Sequence, residues 1–555
     1  MPREPSSPLV WGEDGLPRSS LYGDVYFSSD DGLAESRAVF LQGCGLPGAW
    51  AGRRRFVVGE LGFGTGLNIA ALLELWRREG PPGAQLHIFS IEAHPLSAEE
   101  ARRALSRWPE VDEAAEALTG RWPGRAWGIH RVELPGFNAI LDLAVMDAAE
   151  ALAGWDGKAD AWFLDGFSPA LNPQMWSEAL LALVAARSNP GARAATFTVA
   201  GAVRRGLEAA GFAAEKRPGF GRKRERLEAR LPGTFSEPAT PSVGILGAGI
   251  AGASLARAFR ALGAEARVQG AADGASRNPA ALVTPRLDAG LGAPARLYSE
   301  SFRRAVALYQ DAVIARGARQ LETGPRDARR YAAIAASDLF EPGSMVADDG
   351  LFMADAIVVD SEAILSAWLG ELVEAGPSEV MCIAAGHRSA EFVDVPLQPI
   401  RGQASWAAGV SIGEAVAFGG YAIPTRTGVL FGATHDRDVT ETDVREADNA
   451  RNLALLAQGL PDLAARLEGE ALEARASIRA ATPDKLPVAG EIAEGRYVLS
   501  GLGSRGFCTA PLLAEHVAAK VLGAPSPLLL PLSKIVDPRR FAARDNRRSA
   551  AKRGR

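Results

Sequence analysis

The chain has 555 residues, 47% apolar and 23% charged, with a formal net charge of -5. That length asks for about two to four domains, the composition is that of globular protein, and the charge balance gives no overall sign of a nucleic-acid binder. Cys44, Cys382 and Cys508 are too few and too scattered for a disulfide framework or a zinc site. No metal site is expected, and the cytoplasm is the expected compartment. The N-terminus has no signal-peptide core, and no apolar run is long enough to span a bilayer.

In chain order, Phe56-Val57-Val58 reads as a short strand leading into Gly59-Glu60-Leu61-Gly62-Phe63-Gly64-Thr65-Gly66. A helix follows, with Leu67, Ala71 and Leu75 on one face. Gly62, Gly64 and Gly66 suit a nucleoside-bearing cofactor without a pyrophosphate, and Glu60 can hold an ammonium or a water. The next strand, Leu86 to Ile91, ends in Glu92, where an acid can accept both ribose hydroxyls. Strands at Leu141–Val145 and Asp160–Leu164 lead into Asp147 and Asp165. Ligands in open α/β sheets bind at the carboxyl ends of strands, and four acids at such ends point to one crevice.

This pattern resembles a class I S-adenosylmethionine methyltransferase. The resemblance implies that Glu92 holds the ribose, Asp147 the adenine amine, and that Asp165 faces the nucleophile. A carboxylate there suits an amine acceptor, because it orients the ammonium and takes its proton. The basic run Pro218 to Arg226 is read as a solvated face or a phosphate contact. Residues 232–241 have loop composition and are expected to join two domains, 1–231 and 242–525.

At Ser242 the pattern restarts. Val243, Ile245 and Leu246 read as a buried parallel strand, and Gly247, Gly249 and Gly252 fit G-x-G-x-x-G. Ala251, Leu255, Phe259 and Leu262 give the following helix one apolar face. The phosphates of a dinucleotide then sit at a helix N-terminus. The acid expected about twenty residues past the first glycine is missing; Gln269 occupies that region and Asp273 is the nearest carboxylate. The small-residue stretch Gly274 to Leu282, with Ser276, suits close approach to the cofactor. Pro399 to Gln403, Gly419 to Pro424 and Gly428 to Thr434 read as strands of a substrate-binding sheet. The strand Tyr497–Leu499 meets a second glycine turn with Gly503, Ser504 and Gly506, and a helix is expected from Ala510 to Leu522. A return from so distant a segment is what an FAD domain needs. No Cys-x-x-Cys is present, and His387, His435 and His516 form no recognisable constellation. An amine oxidase needs little acid–base machinery beyond an anchor for the substrate carboxylate. Arginine suits that anchor; Arg479 is the first candidate and Arg505 the second. Residues 526–555 are expected to be a basic, disordered tail, with eight Lys/Arg against one Asp from Pro538 onward.

Several stretches in this order resemble the bacterial bifunctional tRNA 5-methylaminomethyl-2-thiouridine biosynthesis family. They are Gly23 to Ser28, Glu35 to Gly43, Gly59 to Asn68, Phe163 to Trp176, Gly219 to Glu225, Gly247 to Gly252, Gly274 to Leu282, Arg479 to Pro487 and Gly503 to Pro511. The resemblance implies an α/β chain: a Rossmann-like class I methyltransferase domain, then an FAD-binding Rossmann domain of the glycine/D-amino acid oxidase type with an inserted α+β substrate sheet. It implies FAD, S-adenosylmethionine and a tRNA with a modified wobble uridine, with no membrane and no obligate protein partner. The FAD domain would remove the carboxymethyl group from 5-carboxymethylaminomethyluridine, and the other domain would methylate the amine so exposed. Competing expectations are a fusion acting on free glycine- or sarcosine-like amines, and a tRNA-binding module with structural cofactors.

Overall fold

The strand Arg55–Leu61 is buried along almost its whole length, as a central strand covered on both faces must be. It lies in an eight-stranded sheet in a computed structural model that describes residues 7–221, 223–271, 273–373 and 376–542. The chain divides between Ala239 and Thr240 into two compact units.

In the first unit five parallel strands form the middle of the sheet, in the order Ala139–Val145, Gln85–Ile91, Arg55–Leu61, Ala159–Leu164, Ser188–Thr196. Antiparallel strands close it, Gly128–Leu134 on one edge and Glu225–Arg230 with Ala213–Pro218 on the other. The strand order reverses at Arg55–Leu61. Its neighbour on one side is the next parallel strand in sequence, and on the other a strand about a hundred residues later. This is the switch point at which open α/β sheets bind ligands. The helix Leu67–Glu79 packs its apolar residues, Trp76 among them, into the large core that also holds Trp50 and Phe163. The stretch 232–239 has no regular structure, yet it is tied down: Glu237 accepts hydrogen bonds from the backbone N–H groups of Arg54 and Arg55, at 3.0 Å each.

The second unit has two sheets. Ala266–Gln269, Val243–Leu246, Val380–Ile383 and Arg496–Ser500 run parallel, and Val488–Ala493 closes that sheet antiparallel. A ten-stranded sheet contains Gln398–Ala408, Tyr421–Pro424, Gly428–Gly432 and Glu473–Ala481, which include the three strands expected from the sequence. The helix Ile250–Ala261 buries Ala251, Leu255 and Phe259.

Two expectations are corrected. The last long helix starts at Gly506 rather than Ala510 and carries Pro511 inside it. Proline has no N–H to give the carbonyl four residues back. The Tyr309 hydroxyl donates to that carbonyl, Phe507 O, at 2.9 Å and replaces the lost bond. Residues 526–542 are also structured, against the expected disordered tail. Leu528, Leu529, Leu532 and Val536 are buried around the helix Leu530–Val536, and the Arg540 guanidinium pairs with Asp484 at 2.9 Å. Apolar burial and a half-buried ion pair hold this segment, whereas composition alone registered only its basic residues. The rest of the expected tail, 543–555, lies outside the described residues.

Candidate functional site

The first crevice is built at the carboxyl ends of Arg55–Leu61 and its two neighbours, Gln85–Ile91 and Ala159–Leu164. A Cβ on Gly62 would lie 3.3 Å from the Gly166 backbone, so the glycine loop and the loop after Asp165 touch. Gly62, Gly64 and Gly66 all have positive φ, which lets this loop turn back over the strand end. Glu92 closes the loop by accepting from Gly64 N at 3.1 Å and from His94 N at 2.9 Å. Glu60 is fully buried at the end of its strand. Its Oε2 accepts from the Ser90 hydroxyl at 2.5 Å, and its Oε1 has no hydrogen-bond partner among the described residues. Burial pushes its carboxyl well above the usual carboxylate range, against the Ser90 hydrogen bond, and the nearby charge of Asp165 pushes the same way. Asp147 follows the neighbouring parallel strand, Ala139–Val145. It is exposed and caps the helix Ala148–Gly154, with its Oδ1 accepting from Ala149 N and Glu150 N.

Asp165 is the best-held carboxylate of the crevice. Its Oδ1 accepts from Gly166 N and its Oδ2 from Asn68 Nδ2, each at 2.8 Å. The Asn68 amide is oriented in turn, because the Ser36 hydroxyl donates to its Oδ1 at 2.7 Å. Burial pushes the Asp165 carboxyl up to about 6, against those two hydrogen bonds. Aromatic rings crowd the loop that follows. Phe167 lies 4.9 Å from Tyr22 and 5.4 Å from Tyr26, centroid to centroid, and Asp24 accepts from Ser168 N. The sequence reading missed Asn68, Ser36, Tyr22 and Tyr26 as site residues. Each lies in or beside the quoted motifs, but only folding brings them to Asp165. Two cations of the basic run are paired, Lys223 with Glu35 at 2.8 Å and Arg226 with Glu228 at 2.7 Å. Arg222 lies outside the described residues.

The second unit holds a cavity of about 1340 Å³. Gly247, Gly249, Ser276, Arg479, Gly503, Ser504, Arg505 and Gly506 all line it, so the two distant glycine turns meet. Gly252 lies behind the wall, where a Cβ would stand 1.8 Å from Gly247 O; no side chain fits between helix and strand. Gly506 packs against Ile250, the first residue of the nucleotide-type helix, and Ser276 Oγ accepts from Ile250 N at 2.9 Å. Gln269 ends the second strand with its Oε1 buried and without a hydrogen-bond partner among the described residues. Asp273 offers its backbone carbonyl to Arg475 at 2.6 Å.

Arg479 reaches the cavity from the strand Glu473–Ala481, lying over Gly402. Its guanidinium has one long hydrogen bond, to Thr434 O at 3.4 Å, and no carboxylate partner among the described residues. Burial lowers its pKa and the Tyr421 hydroxyl beside it acts the other way, but a guanidinium stays charged in proteins. Arg505 is differently placed. Its Nη1 donates to Thr284 O at 2.9 Å and Thr284 Oγ1 at 2.7 Å, so that nitrogen holds a loop. His387 and His435 line the cavity, whereas His516 is buried beside Ser526. No group of three or more potential metal ligands exists among the described residues. No helix among them is long and apolar enough to cross a membrane.

Bare glycine backbone, a helix N-terminus and a large hollow reached by two glycine turns fit a flavin dinucleotide. The glycine loop, Glu60 and Glu92 fit an adenosyl amino acid. Residues 109–232 match the family described as S-adenosyl-L-methionine-dependent methyltransferase, and residues 371–520 match FAD dependent oxidoreductase. The chain is thus a bifunctional enzyme, a methyltransferase followed by a flavin oxidoreductase, that uses S-adenosylmethionine and FAD. It is 60% identical to the tRNA 5-methylaminomethyl-2-thiouridine biosynthesis bifunctional protein MnmC of Caulobacter vibrioides, over 96% of this chain and 98% of that one. The protein of the same name from Maricaulis maris is 42% identical, over 98% and 97%. Among solved structures, MNMC2 from Aquifex aeolicus matches 42% of this chain and 74% of its own, at 26% identity and a TM-score of 0.34. The chain belongs to the MnmC family of bifunctional tRNA-modifying proteins.

Proposed function

We propose that this chain performs two successive reactions on a tRNA wobble uridine in the cytoplasm. The first opens the C–N bond of a 5-carboxymethylaminomethyl(-2-thio)uridine. Bound FAD supplies the two-electron acceptor. The methylene carbon of the glycine-like arm loses a hydride and the nitrogen its proton. Water then hydrolyses the resulting substrate imine to glyoxylate and a primary aminomethyl group. The second reaction transfers one methyl from S-adenosylmethionine to that amine, releasing one proton.

The observation that carries this reading is Arg479, a cationic fork facing the cavity with no carboxylate partner among the described residues. It would clamp the carboxylate of the arm bidentately and leave the C–N bond toward the flavin. Arg505 would shape the adjoining wall through Thr284. Gly247, Gly249, Ser276, Gly503, Ser504 and Gly506 would hold the flavin dinucleotide, with Gly252 letting the helix close on its strand. In the other crevice Glu60, Gly62, Gly64, Gly66, Glu92 and Asp147 would hold S-adenosylmethionine. Asp165 would orient the ammonium and accept its proton, so that the nitrogen lone pair can attack the methyl. A carboxyl poised at about 6 is mostly ionised at neutral pH and remains basic enough for this work.

The test is mass analysis of nucleosides from tRNA bearing the carboxymethylaminomethyl group, treated with the protein. Without S-adenosylmethionine the aminomethyl nucleoside should accumulate; with it, the methylaminomethyl nucleoside. An unchanged tRNA, or a methyl on carbon or oxygen, overturns the reading.

A further inference from the structure

The proposed substrate is a nucleotide within an RNA strand, so a cavity that takes its C5 arm must meet the flanking phosphates at its rim. The ten-stranded sheet supplies positive charge there. In the pairing of three adjacent strands, Arg437 stands opposite Ile400, and Ile400 opposite Arg479. Residues directly opposite in such ladders project from the same face, and two strand spacings put Arg437 about 10 Å from Arg479. That face also carries Gly402 and Ala404, which line the cavity. Arg437 therefore continues the Arg479 face outward to the edge strand Asp436–Arg437, and the cavity-lining His435 stands two residues before it.

A second cation lies at the turn that follows the Arg479 strand. Lys485 sits in the left-handed region, φ 58°, in a turn held by three sets of bonds. The Thr482 hydroxyl donates to Leu486 O, Asp484 accepts from Leu486 N, and the Tyr298 hydroxyl donates to Lys485 O. Arg437 and Lys485 are both exposed, and neither side chain has a hydrogen-bond or ion-pair partner among the described residues. The acids around them are engaged elsewhere. Asp436 pairs with Arg451, Asp484 with Arg540, and Asp438 accepts from Gln398. Burial, then the positive charges of Arg479 and Arg437, and more weakly that of Lys485, hold the His435 imidazole below its ordinary value.

We propose that Arg437 and Lys485 form a phosphate-binding rim at the mouth of the FAD cavity, gripping the tRNA backbone on either side of the wobble nucleotide while Arg479 takes the arm inside. This rests on the tRNA reading above. A free small amine would make no use of two cations outside the pocket.

The test uses the full-length flavin-loaded chain with Arg437→Glu, Lys485→Glu and the double variant. Oxidation is measured on carboxymethylaminomethyl tRNA and on the free nucleoside across a salt series. Each lost phosphate contact to a single strand removes about 0.7 from the slope of log affinity against log salt. The double variant should therefore lower the salt slope for tRNA by about 1.4 and raise the KM for tRNA about tenfold or more. Its oxidation of the free nucleoside, its flavin absorbance and its methylation of aminomethyl tRNA should match the parent. A parent-like KM and salt slope on tRNA overturn the rim and leave the tRNA reading standing, as does an equal loss on tRNA and nucleoside. If the parent chain oxidises only free amines, the rim and the tRNA reading fall together.

Discussion

The two units answer opposite problems with opposite charges. On the proposed reading the methyltransferase crevice presents a carboxylate to a substrate that is cationic before reaction, and the flavin cavity presents a fixed cation to a substrate arm that is anionic. Desolvation acts on both groups and only one responds usefully. It lifts Asp165 from the ordinary carboxylate range to about 6, near a working pH, whereas the Arg479 guanidinium is lowered and still stays charged. On the proposed reading, burial suits the aspartate to accept a proton and leaves the arginine a fixed cation. The lesson is that one physical cost, taking a charge out of water, gives reactivity or rigidity according to the intrinsic pKa of the group.

The strongest way to break this division is structural. Gly252→Val puts side-chain atoms where even a Cβ would meet Gly247 O, so the purified variant should be colourless in the flavin band. Its methyltransferase activity on aminomethyl tRNA should persist; loss of both activities would show that the units are not independent. Next come the charges themselves. Asp165→Ala should cut methylation about 10²- to 10⁴-fold, the usual contribution of a positioned proton acceptor, and spare oxidation, while Arg479→Ala should do the reverse. Equal losses in either variant would deny the two sites separate roles.

The pH dependence sharpens the same contrast. Asp165 accepts a proton only when ionised, so methylation should fall about tenfold per pH unit once the pH drops below about 6. Oxidation in the same preparation should show no break from this group, and a flat methylation profile down to pH 5 would remove Asp165 as the base. A smaller effect is expected at Asn68. Asn68→Leu removes the donor to Asp165 Oδ2, so methylation kcat should drop about tenfold and the acid-side break should move upward, because a hydrogen bond to the ionised form is lost. A changed KM for S-adenosylmethionine with no movement of the break would reassign Asn68 to cofactor binding.

Much of this was legible in the chain because local signals and cofactor requirements coincide. The strand–glycine–helix turns at Gly62 and Gly247 announce themselves through spacing; Asp165 stands out by its place after a strand, and Arg479 by the fit of a guanidinium to a carboxylate. Other features were hidden for identifiable reasons. The expected start of the last long helix is Ala510, just before Pro511, and its earlier start depends on Tyr309, about two hundred residues upstream, which supplies a hydrogen bond to Phe507 O. The segment 526–542 reads as a basic tail until its leucines and Arg540 find partners in the folded unit.

By itself the sequence determined that the chain carries two nucleotide-type folds in succession, because apolar runs and glycines at fixed spacing are local properties with few alternative uses. It also limited which side chains can hold a carboxylate or take a proton. Only the tertiary structure decided which of them meet. The Ser36–Asn68–Asp165 chain, the junction of Gly506 with Ile250 and the shared face of Arg437 and Arg479 all depend on strand order and register. Those are set by packing across the whole sheet, and no window of sequence contains them.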